Sequence, residues 1–232
     1  MRIADMKLHE IKMNRKISIL GLLMLFTSVV CNADEWPEYK ETVYFSNNKK
    51  YKLIITPTFT PEKYDEWVII KKSKGINKIA IGIIKRKFLK SLTEMDTVKI
   101  PCHGKLFFNS EIDTILIWER NLINDICPIT AIIANDASSI VTLDDWYAKG
   151  HGKNVLVVYN EKGDAKKSYS LSDISPYPID NYMTSLTSIW WHSGVKYIDN
   201  EKIEIKFYTE SQDSTIRIYN TKLFEFEKNT TR

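Results

Sequence analysis

The chain has none of the short motifs that usually mark a catalytic or metal site. No CxxC pair, GxSxG elbow, HExxH helix or Gly-rich phosphate loop occurs in its 232 residues. No local motif therefore supports a thiolate zinc site, thioredoxin-like exchange, a serine-hydrolase elbow, a zincin or a nucleotide loop. Histidine is scarce: of four in the chain, only His103, His151 and His192 lie beyond residue 33. A Ser-His-Asp or paired-carboxylate site would have to be assembled from distant residues. Net charge is nearly absent too. Of the formal +4, residues 1–33 supply five basic and two acidic groups, so +4 less +3 leaves +1, which is no footprint for nucleic acid.

What is present is apolar and aromatic. Hydrophobic residues at 44% with 12% aromatics exclude a disordered chain and suit pleated, half-buried surfaces. At this length we expect one β domain over 34–232 after a leader at 1–33. The leader has a basic start at Met13-Asn14-Arg15-Lys16, an uncharged run over 17–30, and Cys31 and Ala33 as small residues at −3 and −1. That pattern is a secretory signal peptide with its core at 13–33, directing the chain to the periplasm or outside. Translation starts at Met1 or at an internal Met such as Met6 or Met13. Two rival readings place the chain on a membrane: an uncleaved anchor, although the run falls short of the roughly 20 apolar residues a span needs, or lipidation of Cys31, although Ser28 and Val30 fit that pattern poorly. Cys102 and Cys127 remain after cleavage, each beside a proline. In an oxidising compartment they either pair or stay as two isolated buried thiols.

Short extended runs bounded by Asn, Gly and Pro recur about every ten residues. We expect strands at 42–45 and 51–56 around an Asn47-Asn48 turn, then at 66–72, 77–86, 96–100, 105–108 and 114–118, with His103-Gly104 as a turn. KRKFLKSL after the fourth run is either a short helix or a strand running into a basic turn. Lys85-Arg86-Lys87, and Lys71-Lys72, read as solvated sheet edges. Strands at 129–134, 139–143, 154–159, 166–171, 186–192, 203–208, 215–219 and 223–227 follow, with one helical turn at 172–174. YFSNNKKYKLIIT and IIANDASSIVTLD form a weak internal repeat, two extended pieces hinged on an Asn-rich turn. The expected class is all-β with short antiparallel strands, propeller-like or a sandwich.

Chemistry-bearing residues concentrate in the 144–152 loop, DDWYAKGHG. Asp144 and Asp145 offer oxygens to a hard cation, while Trp146 and Tyr147 offer faces for stacking on a sugar or peptide, with His151 nearby. The structural alternative has Asp144 capping the turn, Trp146 plugging the core and Gly150 and Gly152 shaping the loop. Trp190, Trp191 and His192 form the second candidate. Neighbouring strand residues face opposite ways, so one indole should be buried and the other outward.

WERNLINDICPITAIIANDASSIVTLDDWYAKGHGKNVLVVYNEKGDAKKSYSLSDI resembles the central motif of a family of small exported bacterial proteins of unknown function. SIWW resembles that family's Ser-x-Trp-Trp element, and DEWPE with the YFS turn resembles its mature start. The likeness spans about 35–195 in outline and is specific over 118–174. This chain departs where the family has Asp-Gly, here Asp136-Ala137, and where His follows the loop tryptophan, here Tyr147. The resemblance implies a propeller-like or sandwich architecture, and neither substrate nor catalytic residue.

These readings lead to an exported envelope protein that binds a protein partner or small ligand through the 144–152 loop. It needs no cofactor or catalytic residue. The alternative is a hydrolase built from that loop and His192.

Overall fold

The computed structural model describes residues 40–59, 99–110 and 113–227, together with Ile83, Lys87 and Lys90 as helical positions. Among them the chain is all-β, with fourteen strands in four open antiparallel sheets. The first sheet is β1 (Thr42–Phe45), β2 (Tyr51–Thr56), β3 (His103–Asn109) and β4 (Thr114–Asn121), in that spatial order. β5 (Thr130–Ile133), β6 (Ser139–Leu143), β7 (Leu156–Asn160) and β8 (Ala165–Tyr169) make the second. After the single-turn helix α1 (Leu171–Ile174) comes a small hairpin of β9 (Met183–Thr184) and β10 (Ile189–Trp190). The last sheet is β11 (His192–Tyr197), β12 (Lys202–Tyr208), β13 (Ser214–Asn220) and β14 (Glu225–Phe226). In each four-stranded sheet, neighbours in sequence are neighbours in space.

The second sheet lies between the first and the last, which explains its composition. Every residue of β6 is buried, as are Leu156–Tyr159 of β7. Side chains alternate along a strand, and the two faces sort accordingly. Ile140, Val157 and Tyr159 pack with Leu53, Ile55 and Leu106 of the first sheet. Val141, Leu143, Leu156 and Val158 pack with Ile203, Ile205 and Phe207 of the last. A strand covered on both faces reads as a continuous apolar run rather than an alternating one. Burying each such side chain stabilises by roughly 1.5–3 kcal/mol, so the middle sheet anchors both cores.

The repeated hairpins stand beside each other. Asn48 donates its backbone N–H to Asn135 Oδ1 at 2.9 Å and its side-chain amide to the Asn135 carbonyl at 2.8 Å, tying the β1–β2 turn to the β5–β6 turn. The second turn places Ala137 at φ 58°, the left-handed region that favours glycine.

Several expectations need correction. His103-Gly104 opens β3 instead of turning, paired with Thr56 and Ile55. Ile83, expected in a strand, is helical; Lys87 and Lys90 are helical too, in keeping with the short-helix reading of KRKFLKSL, so Lys87 is not sheet edge. Ile100 makes only an isolated bridge to Phe59. The run 186–192 is not one strand. Ile189 and Trp190 pair with β9, whereas His192 begins pairing with Phe207 in another sheet. Trp191 stands at that switch with its indole fully buried. The leader and the run at 66–72 lie outside the described residues. Among the described residues, no helix is long and apolar enough to cross a membrane.

Candidate functional site

The 144–152 loop joins β6 to β7, the two most buried strands. It turns sharply: Asp144, Tyr147, Gly150 and Gly152 all have positive φ, from 60° to 82°. Aspartate tolerates this conformation better than most residues, and the local geometry sends the two adjacent carboxylates to opposite sides of the sheet.

Asp144 is 1% exposed and points toward the last sheet. Its Oδ1 accepts the Trp191 indole N–H and the Gly150 backbone N–H, both at 2.8 Å, and its Oδ2 lies 3.3 Å from His192 Nε2. The other ring nitrogen, His192 Nδ1, is buried with no hydrogen-bond partner. This assigns the Nε2–H tautomer, since a bare lone pair is cheaper to bury than an orphan N–H.

Asp145 points the other way. Its oxygens accept backbone N–H groups from Asp125 at 2.7 Å, Ile126 at 3.1 Å, Cys127 at 2.7 Å and Trp146 at 3.0 Å. Burial pushes its carboxyl up to about 6, while the amide donors pull in the opposite direction. Both carboxylates therefore face protein donors, against the reading of a displayed cation site. Among the described residues, no group of three or more His, Cys, Asp or Glu is arranged to hold a metal.

The aromatic candidates divide. Trp146 is 5% exposed and belongs to the core between the first two sheets, so it offers no open stacking face. Tyr147 is exposed beside it, the rings 6.1 Å apart. Trp191 is buried and Trp190 half-buried, in keeping with their adjacent places in the chain. His192 contacts the Trp191 ring edge-on, with centroids 4.3 Å apart. Asp144, Trp191 and His192 thus form one cluster, and His151 stands apart from it on the exposed side of the loop.

That side is concave. A cavity of about 730 Å3 is bounded by Asp145, Trp146, Ala148, His151, Gly152 and Lys153 of the loop, and across from them by Leu122–Ile126, Pro101, Lys99 and Thr58. Sequence reading missed its far wall. The 122–126 segment lies between the strands expected at 114–118 and 129–134, and it is held by side chains remote in sequence: Tyr159 Oη accepts the Ile123 N–H at 3.1 Å, and Asn154 donates to the Ile123 carbonyl at 2.8 Å. Asn124 adds a bond from its amide to the Asp144 carbonyl at 3.3 Å. A polar Asn-Asp pair set within an otherwise apolar stretch was the available signal. A second cavity, about 510 Å3, lies at the other end of β6 and β7, lined by Ser139, Asn160, Lys162, Glu201 and Lys222 among others.

Beneath the groove, Cys102 and Cys127 are both free and buried. Both belong to the core between the first two sheets, and the Cys127 thiol donates to the Pro128 carbonyl at 3.5 Å.

Compared with known protein families, curated proteins and solved structures, this chain has no match.

Proposed function

We propose that the chain is an exported envelope protein, a member of the family its 118–174 segment resembles, that binds a small ligand without catalysis. Its ligand occupies the groove between the 144–152 loop and residues 122–126. The observation that carries this reading is the groove itself, about 730 Å3 against the 300–1,000 Å3 typical of small-molecule sites. Its rim sets Lys99, Lys153 and His151 against one solvent-facing carboxylate, Asp125, with Ile123 and Pro101 as apolar surface. Asp145 is occupied by backbone amides. That balance favours a ligand with an apolar body and an anionic group. The three successive four-stranded sheets packed face to face resemble blades, which supports a propeller-like arrangement.

A hydrolase using His192 is the second reading, and the His192–Asp144 contact favours it. Against it, Trp191 and Gly150 share the other Asp144 oxygen, and His192 Nδ1 faces no nucleophile. Affinity capture from envelope extract tests the leading proposal. Wild-type protein retains a small anionic species that a Lys99→Glu, His151→Ala, Lys153→Glu variant loses at least tenfold. Equal retention by a folded variant would overturn it. Ester hydrolysis abolished by His192→Ala would establish the rival.

A further inference from the structure

We propose that the second cavity, at the end of β6 and β7 remote from the groove, binds a neutral saccharide. Turns of two sheets meet there. The β5–β6 and β7–β8 turns come from the middle sheet, and the β11–β12 and β13–β14 turns from the last. The volume of about 510 Å3 falls within the roughly 300–1,000 Å3 of small-molecule sites.

Two features of the wall are set by the fold itself. Ser139 and Thr221, both buried, line the cavity within a chain of hydroxyls that crosses from one sheet to the other. Ser139 Oγ lies 2.8 Å from Tyr197 Oη and donates to Thr221 Oγ1 at 3.1 Å, and Thr221 Oγ1 donates to the Glu201 carbonyl at 3.0 Å. Thr221 Oγ1 keeps one lone pair for a ligand, since a hydroxyl accepts twice. The second feature is Phe224, whose φ of 58° lies in the left-handed region, where a bulky residue is an outlier. Its N–H donates to the Asn220 carbonyl at 2.9 Å and its carbonyl accepts the Tyr169 hydroxyl at 2.7 Å, and these bonds hold it there. Strain of this kind gathers at ligand sites, and Phe224, half-buried, lines the cavity.

The charges of the wall decide the ligand class. Lys162, Lys166 and Lys222 stand against Asp136, Glu161 and Glu201, and Lys222 already pairs with Glu201 at 2.8 Å. All six are exposed, where an ion pair contributes little, so neither an anion nor a zwitterion gains much over water. Hydrogen bonding of both senses remains, from these side chains, from the Asn200 amide and from the Ser138 and Thr221 hydroxyls. A saccharide hydroxyl donates and accepts at once, and the C–H faces of a sugar ring suit the face of Phe224.

The test is titration of the isotope-labelled full chain with maltose, cellobiose and diacetylchitobiose, followed by amide chemical shifts. At least one of these sugars moves the Ser139, Asn200 and Thr221 amides saturably, with half-saturation at about 1 mM or below, and leaves Ile123 and His151 of the groove in place. Glycylglycine and glucuronate, a zwitterion and an anion, bind at least about tenfold more weakly. Phe224→Ala, with wild-type circular dichroism, weakens the sugar by about tenfold or more. Ser138→Trp, at an exposed position on the rim, fills the cavity and abolishes binding while leaving Phe224 intact. Absence of saturable shifts with all three sugars would overturn the proposal, as would equal or tighter binding of glycylglycine or glucuronate, or undiminished binding by Ser138→Trp. The Lys99→Glu, His151→Ala, Lys153→Glu variant binds the sugar as wild type does, so this site and the groove stand or fall separately.

Discussion

Trp191 donates its indole N–H to Asp144 Oδ1 at 2.8 Å, joining the loop of the middle sheet to the start of the last sheet across 47 positions of sequence. Two features that look like separate binding candidates in the sequence are thus one structural clamp. Asp144→Ala leaves the Trp191 and Gly150 N–H groups buried without acceptors and should destabilise by about 3 kcal/mol. Trp191→Phe removes one donor and should cost about 2 kcal/mol. In urea unfolding the double variant should fall short of additivity by at least about 1 kcal/mol. Strict additivity would mean that the bond contributes nothing.

The loop's two glycines make different demands. At Gly150 a Cβ would lie 2.8 Å from Ile189 Cβ and 3.0 Å from its carbonyl oxygen, whereas at Gly152 it would meet nothing within 4 Å. Both have positive φ. Gly152→Ala should therefore cost only the backbone strain, about 1 kcal/mol. Gly150→Ala should cost clearly more, because backbone must move as well. Thermal melts of the two variants decide this, and equal melting temperatures would contradict the geometry.

Asp145 makes stability depend on pH in an uncommon direction. Its carboxyl is raised from 3.8 to about 6 by burial, so between those values the folded chain holds more proton than the unfolded one. The stabilisation is complete below about pH 4 and is lost as pH rises through about 6, a change of about 3 kcal/mol. Asp145→Asn removes this titration. The stability difference between wild type and variant, taken from urea unfolding at steps from pH 4 to 7, should drift against the wild type by that amount. A flat difference would show that the four amide donors offset burial fully.

Much of the scaffold was readable in advance. β1, β2 and β6 fall at their expected bounds because a turn rich in Asn or Ser sits against a β-branched run, and both signals are local. The Asn turns of the internal repeat were also visible, although nothing in sequence says that Asn48 and Asn135 meet. Errors came where tertiary contacts outweigh local pattern. His103-Gly104 looks like a turn, yet Gly104 is needed in the strand, where a Cβ would press within 3.1 Å of Leu122 and 3.2 Å of Trp118. The 186–192 run is apolar enough for one strand, but packing turns the Trp191 indole inward and hands His192 to another sheet.

The candidate site shifted for the same reason. A list of Asp144, Asp145, Trp146 and Trp191 suggests displayed chemistry, since these are the residue types that bind ligands. All four are buried and bonded within the protein; Asp145 and Trp146 only back the concave surface, whose exposed rim comes from His151, Lys153 and the 122–126 segment.

Sequence alone determined the all-β class, the hairpin turns and the place of the loop, because side-chain alternation and turn chemistry act over a few residues. Only tertiary structure decided that the middle sheet is covered on both faces, that Asp144 and Asp145 diverge to opposite cores, and that Cys102 and Cys127 are buried in one core. Those outcomes depend on which apolar faces bury one another across the chain, and burial of that kind is set by the whole assembly of sheets.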